Sequence, residues 1–193
     1  MRLLSAICWP PVAASPPTPR PAARRFVLVA GLLWALWLLG YEGWLRPTGR
    51  FDQAVSTNLA AVSAGLLRAL GFATTVAPAQ PRLLCMDGQP GVWVGDPCNG
   101  VVLYALLAGF VLAYPGGGWR RLPFIGLGCG VLYALNVARV AALALNHHYY
   151  HQSVEFNHHY TFTCLVYAAL LGLWLQWTRW VATAERGPQV PTT

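Results

Sequence analysis

Four stretches of the chain, residues 26–45, 98–114, 122–145 and 160–180, are almost continuously apolar over lengths suited to crossing a bilayer. In hydrocarbon no water is at hand to bond backbone N–H and C=O groups, so each such run has to satisfy its own backbone as a helix. The expected class is therefore an all-α polytopic membrane protein. Composition agrees, with 56% hydrophobic residues, only 10% charged and nine tryptophans, which leaves little for a soluble domain. The net charge of +7 comes from thirteen basic residues, all arginine. They lie mostly beside the apolar runs, with no basic stretch interleaved with aromatics, so a nucleic-acid partner is not expected and the lipid bilayer is.

The same arginines set an expected topology. Arg24-Arg25 precedes the first run, and Trp119-Arg120-Arg121 separates the second from the third, so both points belong on the cytoplasmic side and Cys98 on the other. By parity, Gln53–Phe72 returns to the side it left. Its Val55, Leu59, Val62, Leu66 and Leu70 recur at helical spacing opposite Gln53, Thr57, Ala61, Ala64 and Arg68, which predicts an amphipathic helix on the outer face. From Arg82 to Val94, Asp87-Gly88-Gln89-Pro90-Gly91 separates two short apolar runs and predicts a small extracytoplasmic hairpin. Residues 1–25, with six prolines between Pro10 and Pro21, read as a disordered cytoplasmic tail, 26–180 as the membrane domain and 181–193 as a second cytoplasmic tail. The apolar run Leu3–Trp9 ends in Pro10-Pro11 and is too short for a signal peptide.

Three groups in this frame carry chemistry. Asp96-Pro97-Cys98-Asn99-Gly100 runs directly into the second apolar segment, so Pro97 suits a first helical position and Asp96 a cap. A thiol at such a helix mouth is drawn toward thiolate, the nucleophilic form; the plainer alternative is a small packing residue. Within the third run lies Asn136-Val137-Ala138-Arg139. A mid-helix arginine costs roughly 2.5–3.5 kcal/mol on insertion, so Arg139 should face inward, with Asn136 on the same face. It sits about 9 Å below the outer end by helical rise, where the alternative is a snorkelling side chain.

All five histidines, His147, His148, His151, His158 and His159, fall before the last span. Metal binding would need partners at ligand spacing, and no Asp or Cys supplies them; His147 and His151 align only if the helix continues. Acid/base work at neutral pH is the other reading. Gly126, Gly128 and Gly130 follow no strand and predict close helix contact rather than a nucleotide loop. Cys129 and Cys164 fall within spans and are expected to pack. Cys85 and Cys98 could meet across the hairpin, but an enzyme that needs its thiolate gains nothing from a disulfide, so none is expected.

The pattern Cys98-Asn99-Gly100 opening one span, Asn136 and Arg139 late in the next, and Asn157-His158-His159-Tyr160 before the last resembles the exosortase/archaeosortase family of polytopic membrane cysteine enzymes, particularly its short bacterial members. The resemblance covers Cys98 to about Trp174. It implies a membrane-embedded cysteine protease/transpeptidase with Cys98, Arg139 and one of His158 and His159 as catalytic residues. It also implies C-terminal sorting signals of exported proteins as substrates, a glycan or lipid as a possible acceptor, a location in the bacterial cytoplasmic membrane with the site outside, and no cofactor or metal. Larger family members have more spans, which leaves the substrate range open. Two other classes remain: a histidine-rich metal-binding membrane protein and a non-catalytic subunit of an envelope assembly system.

Overall fold

The computed structural model describes residues 21–150 and 161–186. Helix α1, Pro21–Leu36, continues through a π-helical stretch, Trp37–Leu45, into a last turn, Arg46–Thr48. Gly49, at φ +65°, breaks the helix and starts α2, Arg50–Ala69. Three strands follow, β1 Thr74–Ala77, β2 Gln80–Met86 and β3 Gln89–Trp93, then a 3-10 turn, Asp96–Cys98. Helix α3 is Val101–Ala113, α4 is Arg121–Tyr149 and α5 is Phe162–Arg186.

The strands form one antiparallel meander, β1-β2-β3. Asp87 and Gly88 both take positive φ, 49° and 76°, the geometry that a tight hairpin between twisted strands requires. The expected turn is therefore present, but the hairpin is two-thirds of a sheet: Thr74-Thr75-Val76-Ala77 adds an edge strand that the sequence reading left out.

The sheet packs on α2, α3 lies against α1, α4 and α5, and α4 runs past both groups, touching α2 and β3 at one end and α3 and α5 at the other. Two apolar clusters result. The sheet half joins Leu59 and Leu67 of α2, Leu84 and Met86 of β2, and Val140, Ala141 and Ala144 of α4. The other half joins Leu103, Leu107 and Val111 of α3, Phe124 and Leu132 of α4, and Val166, Leu170 and Trp177 of α5.

The buried face of α2 differs from expectation. Asp52, Ser56, Leu59, Ala60, Ser63, Ala64 and Leu67 are buried, while Val62, Leu66 and Leu70 are exposed. The reason is packing distance: small side chains let α2 approach α4 and the sheet, and Ser63 Oγ reaches the Val137 carbonyl at 3.3 Å. Large apolar groups are left outside, which is stable where the surroundings are themselves apolar. In the glycine series only Gly128 bears out close contact, a Cβ there falling 2.6 Å from Leu107 Cδ2; Gly126 and Gly130 face open space. Cys164 is exposed rather than packed.

Among the described residues two helices are long and apolar enough to cross a membrane, Ala23–Thr48 and Gly118–Tyr149. Val101–Ala113 is apolar but has 13 residues, about 20 Å at the helical rise against a hydrocarbon core of about 30 Å. Phe162–Arg186 has the length, with Gln176, Thr178 and Arg179 interrupting it.

Candidate active site

Cys98 closes the 3-10 turn rather than opening α3. Its N–H bonds the Gly95 carbonyl at 2.9 Å, and Gly100, at φ +81°, is the residue that caps α3. A side chain at Gly100 would also meet Asn136 Nδ2 at 3.1 Å and the Tyr104 hydroxyl at 3.2 Å, so both the backbone angle and the space demand glycine there. The expected cap is absent: Asp96 makes no capping bond, and its carboxylate pairs with Arg82 at 3.3 Å instead. Arg82 in turn lies over the Trp93 ring, 4.6 Å from its centroid. A positive partner of the thiol stands on another helix.

That partner is Arg139. Its guanidinium Nη2 approaches Cys98 Sγ at 3.8 Å, and Asn136, one turn earlier on the same face of α4, donates from Nδ2 to the Cys98 carbonyl at 2.8 Å. The Asn-x-x-Arg spacing thus delivers two side chains of one helix to one residue. Both Cys98 and Arg139 are half-buried. A guanidinium at that place is positioned to meet negative charge that develops during a reaction at the sulfur.

Asn99 ties the turn from the other side. Its Oδ1 accepts the Val101 N–H at 3.0 Å, and its Nδ2 donates to Asp52 Oδ1 at 2.7 Å. The same Asp52 oxygen accepts the Tyr41 hydroxyl at 2.6 Å. Asp52 and Tyr41 escaped the sequence reading, Asp52 lying one residue before the start assigned to the amphipathic helix. The available signal was a carboxylate four residues before Ser56 and seven before Leu59, on what proves to be the buried stripe.

At the far end of α4, His148 Nε2 lies 3.2 Å from Asp87 Oδ2 at the β2–β3 turn. A cavity of about 320 Å³ between β3 and this end of α4 is lined by Gln89, Pro90, Gly91, Ala144, His147 and His148, among others. His158 and His159, the expected acid/base candidates, lie outside the described residues, as does His151. Among the described residues no three His, Cys, Asp or Glu side chains gather as a metal site, and no disulfide joins the cysteines.

No curated protein and no solved structure matches this chain. The family model described as transmembrane exosortase (Exosortase_EpsH) matches residues 47–175, a span that holds α2, the sheet, the Cys98 turn, Asn136 and Arg139. The chain is accordingly a member of the transmembrane exosortase family.

Proposed function

We propose that the chain is a membrane-embedded cysteine transpeptidase or peptidase that cleaves C-terminal sorting signals of exported proteins. The observation that supports this reading is the approach of Arg139 to Cys98 Sγ within the family-matched region. The Cys98 thiolate attacks the scissile carbonyl, and negative charge passes from sulfur to the carbonyl oxygen. Arg139, already beside the sulfur, is placed to meet that charge. Collapse of the intermediate breaks the C–N bond, leaves a thioester on Cys98 and expels an amine, which takes a proton from His158 or His159. Water, or an amine of a glycan or lipid acceptor, then attacks the thioester carbonyl, gives up a proton to the same histidine, and the C–S bond breaks to release the acyl product and the Cys98 thiolate.

In this reading the chain crosses the bacterial cytoplasmic membrane four times, with the Cys98 turn and the sheet outside, and 26–180 is the catalytic domain. Arg24 and Arg25 near the start of Pro21–Leu36, and Arg120 and Arg121 at the start of α4, support that orientation. The substrate tail is a short motif, one membrane helix and basic residues, so the bilayer itself presents the scissile bond to Cys98.

Co-expression with a tagged protein bearing such a tail tests the proposal. Cys98→Ala and Cys98→Ser should abolish processing while the protein accumulates normally; processing that persists in Cys98→Ala sinks it. A membrane-impermeant thiol reagent on spheroplasts should label Cys85 and leave Cys8 unmodified, and labelling of Cys8 from outside would reverse the orientation.

A further inference from the structure

Among the residues whose side chains are described, Asp52 is the one fully buried carboxylic acid, at 1% exposure. Burying such a group carries a penalty of several kcal/mol unless hydrogen bonds offset it, and a hydrophobic residue would pack α2 at lower cost. Its two bonds lead to the Cys98 turn and to the π-helical stretch. Oδ1 accepts from Asn99 Nδ2 at 2.7 Å and from Tyr41 at 2.6 Å, so one oxygen joins the π-helical stretch, α2 and the turn.

The chemistry of an amide makes this bridge directional. Only the Asn99 oxygen can accept the Val101 N–H, and only its NH₂ can donate to the carboxylate, so the side chain is held at both ends in one orientation. On the other flank, Asn136 holds the Cys98 carbonyl at 2.8 Å. The Cys98–Asn99 unit is therefore gripped by α4 through its carbonyl and by α2 through its side chain. The contact that depends on this grip is the longest in the group, Arg139 to Cys98 Sγ at 3.8 Å.

We propose that Asp52 is a positioning residue: acting through Asn99, it holds the Cys98 turn against α4 so that the sulfur stays beside the Arg139 guanidinium. The inference rests on the reading of Cys98 as the nucleophile, and it is tested both with and without a substrate. Asp52 touches no reacting atom, so its loss should misplace the sulfur while leaving substrate binding largely intact.

Two measurements follow, on full-length protein in membranes. In co-expression or reconstituted turnover, Asp52→Ala should lower kcat about 100-fold, the order expected for a displacement near 1 Å, with KM changed less than about twofold. In protein with Cys8, Cys85, Cys129 and Cys164 changed to Ser, the rate of Cys98 alkylation by iodoacetamide at fixed pH should fall about tenfold on adding Asp52→Ala, because the thiolate that reacts loses its cationic neighbour. This second readout needs no substrate, so it stands or falls independently of what the enzyme cleaves.

Loss of a buried group can also prevent folding, and an exchange of the two side chains removes that ambiguity. Asn99→Asp alone sets two carboxylates against each other and should slow alkylation as strongly as Asp52→Ala. Combined with Asp52→Asn, the amide NH₂ takes the place of Oδ1 and donates one hydrogen to the carboxylate at 99, which still accepts the Val101 N–H, and its other hydrogen to the Tyr41 hydroxyl oxygen, which turns from donor to acceptor. The pair should recover alkylation to within about threefold of the parent, since coupled neighbours are non-additive in this way. An unchanged alkylation rate in Asp52→Ala, or a double variant that accumulates normally yet is no faster than Asn99→Asp, overturns the proposal.

Discussion

The two ends of α4 are packed by different means. Toward Phe124 and Leu132 it meets α3 and α5 through large apolar groups, with Phe124 against Trp177 at 4.9 Å between ring centroids and, between α3 and α5 themselves, Phe110 stacked on Trp174 at 4.8 Å. Toward Asn136 and Arg139 it meets α2 and the Cys98 turn through an aliphatic cluster interleaved with small and polar groups, and Asp52, Ser56, Ser63, Asn99 and Asn136 are all buried there. Apolar packing tolerates repacking, whereas each buried polar bond has one geometry. The difference teaches where the molecule places its specificity: the aromatic half holds the helices together, and the polar half fixes one thiol.

Exchanging the charge carrier in the polar half should have the largest effect. Arg139→Lys keeps the charge but replaces a planar fork of donors by a compact ammonium on a different stem, so processing should fall about 10²–10³-fold while protein levels stay normal. Near-normal turnover would demote Arg139 to a structural role. In the aromatic half the opposite pattern is expected. Trp177 is fully buried against Phe124, and Trp177→Ala should destabilise the fold by about 3 kcal/mol, read as a lower melting temperature in detergent. The fraction that remains folded should alkylate at Cys98 at the parental rate; a slowed Cys98 would show that the two halves are not separable.

Gly100→Ala tests the polar half through its backbone. The φ of +81° strains any L-residue by on the order of 1–3 kcal/mol, and the added Cβ presses on Asn136 Nδ2 and the Tyr104 hydroxyl. Relief by moving Asn136 releases the Cys98 carbonyl, so turnover should fall about tenfold, and stability by the strain alone. Full activity in Gly100→Ala would mean that the turn accommodates the side chain without disturbing Asn136.

How much of this was legible follows the same division. Cys98, Asn136 and Arg139 could be brought together from sequence because an i, i+3 pair on a helix has only one face to share and a buried arginine has few places to go. The family pattern pointed to the same three. Helix α2 was found, with Leu59 buried and Gln53, Ala61 and Arg68 exposed as the stripe implies, but the buried face is turned toward small and polar groups, Val62, Leu66 and Leu70 being exposed and Ser56, Ser63 and Ala64 buried, because close approach to α4 and the sheet selects small side chains. Strand β1 was lost because four residues, Thr74–Ala77, are too few for alternation to register, and they owe their conformation to pairing with β2. Asp52 could not be assigned because its partner Asn99 is 47 residues away, and no local spacing encodes that bond.

The smallest effect is expected at Asp96, where two accounts of the thiol's surroundings part. Had Asp96 capped a helix opening at Cys98, its loss would remove a side-chain bond to an orphan N–H, at a cost of about 0.5–2 kcal/mol, and would loosen the anion-favouring end of that helix. The structure gives Asp96 no such bond, and Gly100 rather than Asp96 precedes α3. What remains is the 3.3 Å pair with Arg82, whose side chains are 26% and 44% exposed, and solvent screening holds a pair of that kind to well under about 1 kcal/mol. Arg82 also has a second contact, the Trp93 ring, that does not involve the carboxylate. Asp96→Ala should therefore shift stability by less than about 0.5 kcal/mol and change Cys98 alkylation by less than about twofold. A loss approaching that of Arg139→Lys would return the activating role to the turn itself and make the Arg139 contact secondary.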